Sequence, residues 1–227
     1  MRFIEKQEIL ERKTYEALND LEEEFGLEVD SYPEVRWLGK LGNFNDLFLP
    51  ERYREEVVSC QKKGGSIYLY RPNVIILNKD ENYALNEEAS HCFHLRNSRI
   101  TLANKTKQDW FAVNSLIEMF GFLGSKILDP SRKNPYHKYP DYLELSLKKI
   151  NIQDALEPLR DIDDDILSEF LIHSQGYGLG DRMFYSLVSR DLKLDEIKKL
   201  LMKNFKGKGQ ATKTLLELRE RFWPMIL

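Results

Sequence analysis

Over residues 3–25, Ile4, Leu10, Leu18, Leu21 and Phe25 stand at approximately helical spacing among many Glu and Lys, and Gly26 supplies a stop. This predicts an amphipathic N-terminal helix. Val35 to Leu38, between Pro33 and Gly39, reads as an edge strand or extended segment. Pro50, the run Glu51 to Lys63 and the pair Gly64-Gly65 predict a helix with its first-turn proline and its stop. Ser66 to Tyr70 and Asn73 to Leu77 are β-branched and aromatic, separated by Arg71-Pro72, and predict two adjacent strands or one bent one.

A helix follows, capped by Asn78 or Asp80 and running to about Leu95; a second spans Lys107 to Leu128 around the apolar run Leu116 to Leu123. Pro130 to Pro140 reads as a loop rich in Asn, Lys and Tyr. Beyond it, segments near 141–149, 153–160, 163–189, 194–205 and 210–222 carry helical patterns, with breaks at Gly176 to Gly180 and Gly207 to Gly209. The pattern predicts an α+β chain dominated by helix, with a small N-terminal sheet before a helical half. A single domain over 1–227 accommodates it: an N-terminal helix in 1–30, the sheet and two helices of chemical interest in 31–128, and the helical half in 129–227.

Composition narrows the class. With 227 residues, 42% of them apolar and 11% aromatic, the chain can bury a substantial core. A formal charge of -3 and a pI near 5.9 supply no basic field, so nucleic acid and anionic membrane surfaces are disfavoured as partners. Charge breaks the apolar stretches short of the roughly 18 residues a membrane span requires. The first residues lack a secretory hydrophobic region, and a cytoplasmic location is expected. Cys60 and Cys92, with no CxxC spacing, read as reduced structural thiols.

The densest chemistry lies in Tyr83-Ala-Leu-Asn-Glu-Glu-Ala-Ser-His-Cys-Phe-His94. On a helix, Glu87 and His91 project one above the other, and Glu88 points about a third of the way round toward the same cleft. This is the geometry of HExxH, in which two His hold zinc and the intervening Glu takes a proton from water that the cation acidifies. In this chain Glu87 stands at the first ligand position, His91 at the second and Glu88 at the base. Carboxylate ligation softens the preference for zinc and admits manganese or iron. A solvated acidic helix face would produce the same letters. His94 offers another ring nitrogen to a metal, or packs beside Phe93 and Leu95.

Two further features bear on that choice. Glu118 lies within Ala112-Val-Asn-Ser-Leu-Ile-Glu-Met-Phe-Gly-Phe-Leu-Gly124, where a buried carboxylate needs a metal or a cation, unless it escapes to water at the helix edge. His173 and Tyr177 lie in Phe170-Leu-Ile-His-Ser-Gln-Gly-Tyr-Gly-Leu-Gly-Asp181. They suit hydrogen-bond donation to an oxyanion, although a core histidine satisfied by a backbone carbonyl and a tyrosine packed on glycines is the commoner arrangement. Gly176, Gly178 and Gly180 form no phosphate loop, since no strand precedes them.

The order of strands, acidic-histidine helix, Glu-bearing helix and late His and Tyr resembles the gluzincin branch of the zincin metallopeptidases over about residues 66–190. That resemblance implies a zincin-like fold and a metal-dependent hydrolase, a peptidase acting on a peptide or protein. It implies Glu87, His91 and Glu118 as ligands of a divalent metal, zinc first. It further implies Glu88 as general base, His173 and Tyr177 as transition-state donors, and the edge strand Ser66 to Tyr70 as a holder of extended peptide. The chain departs from the pattern at Glu87, and a catalytically inactive zincin-like binding or regulatory protein is the alternative.

Two other classes are open. The Glu88-x-x-His91 spacing also serves ferritin-like di-iron bundles, but a second such pair is missing, Glu169 and His173 being four apart. A helical interaction module would use the basic run Lys193 to Lys213 and the acidic cluster Asp161 to Asp165, which solvated helix faces also explain.

Overall fold

The chain's hydrophobic pattern resolves, in a computed structural model, into helix α1 (Phe3–Phe25), strands β1 (Glu34–Trp37), β2 (Ile67–Leu69) and β3 (Val74–Leu77), and helices α2 (Asn82–Asn97), α3 (Lys107–Leu128), α4 (Asp164–Val188), α5 (Leu194–Leu201) and α6 (Gln210–Phe222). The structure describes residues 3–37, 53, 57, 58, 60, 65–78, 82–98, 100, 106–136, 164–205 and 207–222. The helices expected at 141–149 and 153–160 lie outside the described residues, as do Asp161 to Asp163 of the acidic cluster. Of the helix expected over Glu51 to Lys63, Tyr53, Val57, Val58 and Cys60 are described, each helical. The chain is α+β and dominated by helix, with a small N-terminal sheet, as the pattern predicts.

The sheet order is β1-β3-β2, with β1 parallel and β2 antiparallel to the central β3. Its position explains why Val74-Ile-Ile-Leu77 is uninterrupted by polar residues: Ile75 and Leu77 join the main core, while Val74 and Ile76 join Val57 and Leu69 on the other face. A strand buried on both faces reads as a continuous apolar run. Among the described residues β2 pairs with β3 alone, which makes it an edge. Helix α2 packs on β2 and β3, and α1 packs on β1 and α2.

Helix α3 is the hub, packed against α1, α2, α4 and α6. Its start matches the sequence pattern because Thr106 accepts the Asp109 backbone N–H at 3.1 Å, satisfying one of the helix's unpaired donors. Asp109 in turn accepts from the Gly209 N–H at 2.7 Å and the Thr212 hydroxyl at 2.9 Å, tying the start of α6 to the start of α3. By length and composition Gln108–Leu128 is apolar enough to cross a membrane, contrary to the expectation that charge breaks every such stretch early. Inside this fold 72% of that window is buried, and its Lys126 forms an ion pair with Asp181 of α4.

The expected break at Gly176 to Gly180 does not occur: α4 runs unbroken from Asp164 to Val188. These glycines are an interface. A Cβ on Gly176 would lie 2.5 Å from the Glu118 Cβ and 2.8 Å from the Ser115 carbonyl oxygen, and one on Gly180 would lie 2.7 Å from the Met119 carbonyl oxygen. Glycine here costs about 1 kcal/mol of helix propensity. It lets α4 approach α3 closely, bringing His173 and Tyr177 up to Glu118 and to α2.

Candidate metal centre

Glu87 and His91 project from α2 one turn apart, and Glu118 faces them from α3. Ligand atoms of the three side chains lie within 4.8 Å of one another, and Glu87 and His91 are buried. This group could hold a divalent metal ion. Glu118 lies between two imidazoles: its Oε2 is 3.8 Å from His91 Nε2 and 3.5 Å from His173 Nε2. His173 Nδ1 donates to the Glu169 carbonyl at 2.8 Å, which turns Nε2 toward the carboxylate.

His91 sits against the backbone of α3 at Gly121, where a Cβ would fall 2.2 Å from its Cε1. Its Nδ1 is buried without a hydrogen-bond partner. His91 Nε2, on the Glu118 side of the ring, joins the Glu87 and Glu118 carboxylates in a nitrogen-and-oxygen donor set of the kind a divalent cation takes, so the residues present fit a metal ion.

Glu87 is held from two sides. Tyr177 donates its hydroxyl to Oε1, and Arg132 donates through Nη2 to Oε2. Arg132 also donates to the Ser125 hydroxyl and to the Tyr83 carbonyl, the latter at 3.2 Å, and its guanidinium lies 4.8 Å from the Phe122 ring centroid. Phe122 stacks in turn on Tyr177 at 4.7 Å. Each carboxylate oxygen has a second lone pair, so both contacts leave Glu87 able to coordinate.

The electrostatics follow from this packing. Burial alone would push the Glu87 carboxyl up, but Arg132, His91 and the Tyr177 hydroxyl hold it below the ordinary carboxylate range. Glu88 moves the other way, well above that range, through burial and then the neighbouring charges of Glu87 and Glu118; the Tyr68 backbone N–H of β2 opposes the rise. Burial lowers His173, and the Glu118 carboxylate with the Glu169 carbonyl overcomes it, so the imidazole is raised. Glu87 thus faces the Arg132 guanidinium, and Glu118 faces the His173 imidazole.

All six residues expected from the sequence lie in this region. Glu87, His91 and Glu118 converge, His173 meets Glu118, Tyr177 meets Glu87, and Glu88 is buried with its carboxyl on the Tyr68 N–H. His94 is not in that ligand group, and its ring lies 4.2 Å from that of Phe120. Sequence reasoning missed Arg132 and Tyr136, which belong to the loop after α3. The Tyr136 ring lies 5.3 Å from Tyr177, and burial, then Glu118 and Glu87, push its hydroxyl up to about 12.

His94 yields a pH prediction. Both ring nitrogens are buried and unpartnered, and burial, with His91 nearby, lowers it from 6.5 to about 3. The unfolded chain therefore binds more protons between those values, and the stability contributed by the neutral ring is lost as pH falls from 6.5 toward 3. His94→Phe is expected to remove this acid limb, worth on the order of a few kcal/mol at its foot. Urea denaturation at a series of pH values checks it; parallel wild-type and variant curves would contradict it.

No family model matches the chain, and no match was found among curated proteins or solved structures.

Proposed function

We propose that the chain is a zincin-like, metal-dependent hydrolase whose substrate is a peptide or protein, with Glu87, His91 and Glu118 as metal ligands. The observation that carries this reading is the convergence of those three side chains, from two helices, to within 4.8 Å. A bound divalent ion, zinc first and manganese or iron admitted by the oxygen-rich donor set, would acidify water and polarise a substrate carbonyl.

The chain's own residues supply the rest. Glu88 accepts and returns the proton, its raised affinity for protons lying in the direction that suits a base working near neutrality. His173, exposed enough to meet substrate and raised toward its charged form, donates a hydrogen bond to developing negative charge. Tyr177 orients Glu87 through its hydroxyl in the resting site and donates from there. Strand β2, at the sheet edge beside Glu88, is the element on which an extended peptide would pair.

The test is metal content of protein purified without chelator, together with hydrolysis of a mixed peptide library by wild type and Glu88→Gln. The expected result is one divalent ion per chain in both and a loss of about 10²–10⁴ in rate in the variant. No metal under any loading condition would defeat the reading. One observation favours a catalytically inactive binding protein of the same fold: Arg132 already balances Glu87 without any metal. Metal binding with no hydrolysis in wild type would select that alternative.

A further inference from the structure

Arg132 is the one described guanidinium that touches the carboxylate cluster, and its environment is that of a permanent fixture. Its side chain is 6% exposed, it spans three polar partners on α2 and α3, and the Phe122 ring lies against it. Such a cation is not free to swing into solvent when another charge arrives. The ligand group of two carboxylates and one imidazole carries a formal charge of about -2 when both carboxylates are ionised. Arg132 cancels one of those charges at Glu87 itself.

We propose that Arg132 is the resident counter-charge that makes Glu87 serviceable as a metal ligand, the Glu87–Arg132 pair standing, as a unit of zero net charge, where a neutral imidazole would otherwise stand. The proposal rests on the metal-centre reading above. Arg132 acts through Glu87 and is a positioning residue. Hydrogen bonds from outer groups orient ligands and tune their donor strength, and Arg132 with Tyr177 provides this for both Glu87 oxygens.

A consequence separates this role from simple structural support. Placing histidine at position 87 alone removes the carboxylate and leaves Arg132 as an uncompensated buried cation next to the incoming ion. Removing both charges together restores the balance. The experiment is zinc chloride titration, by calorimetry, into chelator-stripped full-length wild type, Glu87→His and the double variant Glu87→His/Arg132→Met, with circular dichroism reporting the fold.

Wild type and the double variant are expected to bind zinc, and Glu87→His to bind at least about tenfold more weakly than the double variant. Equal affinities of the single and double variants would overturn the proposal while leaving the metal centre standing. Absence of zinc binding in all three would overturn both. If Glu87→His fails to fold, the double variant decides: recovered fold with zinc binding supports the proposal, and lack of either overturns it.

Discussion

Arg132→Met is expected to lower the free energy of unfolding by about 3–5 kcal/mol, the range for removing one partner of a buried ion pair. The Glu87 and Arg132 side chains are 12% and 6% exposed, and the guanidinium is the principal influence holding the Glu87 carboxylate ionised against burial. Without it Glu87 must either sit charged in an apolar setting or take up a proton, and both cost free energy. The Ser125 hydroxyl and Tyr83 carbonyl lose a donor as well. Urea denaturation of metal-free protein at neutral pH measures the loss. Glu87→Gln in the Arg132→Met background is expected to return part of it, because the stranded charge has gone. A loss under about 1 kcal/mol, the scale of an exposed pair, would show that the contact contributes as a surface bridge does.

The second large effect is expected from Gly121→Ala. An ideal Cβ there falls 2.2 Å from His91 Cε1 and 2.5 Å from Nε2, so the ring must move or α2 and α3 must separate. Overpacking of this kind costs about 1–3 kcal/mol. The distinctive consequence lies at the metal: displacement of a ligand's support is expected to weaken zinc binding by about 10–100-fold. Gly124→Ala is the matched control. It strains the same pair of helices at Ser90, where a Cβ would lie 2.6 Å from the hydroxyl oxygen, without touching a ligand. Zinc titration of both variants is expected to separate them, and equal affinities in the two would contradict the seat assigned to His91.

Local signals made much of the fold legible. Helix α3 begins and ends where the pattern places it, because Thr106 and Asp109 form a cap between residues three apart. Strand β3 announced its burial through four consecutive apolar residues, but the parallel pairing of β1 with it has no local signature and depends on long-range packing. The glycines of α4 misled for a physical reason. Glycine is read as a helix stop because it weakens helices, yet Gly176 and Gly180 face α3, and packing against that helix outweighs the local preference.

The site was legible to a similar depth. Spacing on one helix paired Glu87 with His91, and an apolar neighbourhood singled out Glu118, because a carboxylate surrounded by Ile117, Met119 and Phe120 must find compensation. The chemistry of Glu118 thus asked for a metal or a cation without naming it. Nothing local distinguishes Arg132 from the other basic residues, since it becomes a partner of Glu87 only when the chain after α3 folds back over Tyr83 and Phe122. Likewise His94 shares the helix with His91, but three residues of rotation carry it onto Phe120 instead of toward Glu118.

The most direct test of the metal centre is calorimetric titration of zinc chloride into chelator-stripped, full-length protein at neutral pH, beside the variants His91→Ala and Glu118→Gln. The expected result is one ion bound per chain, with affinity reduced by at least about tenfold in each variant. Absence of binding in wild type, or binding that both variants leave unchanged, would contradict a metal centre at Glu87, His91 and Glu118.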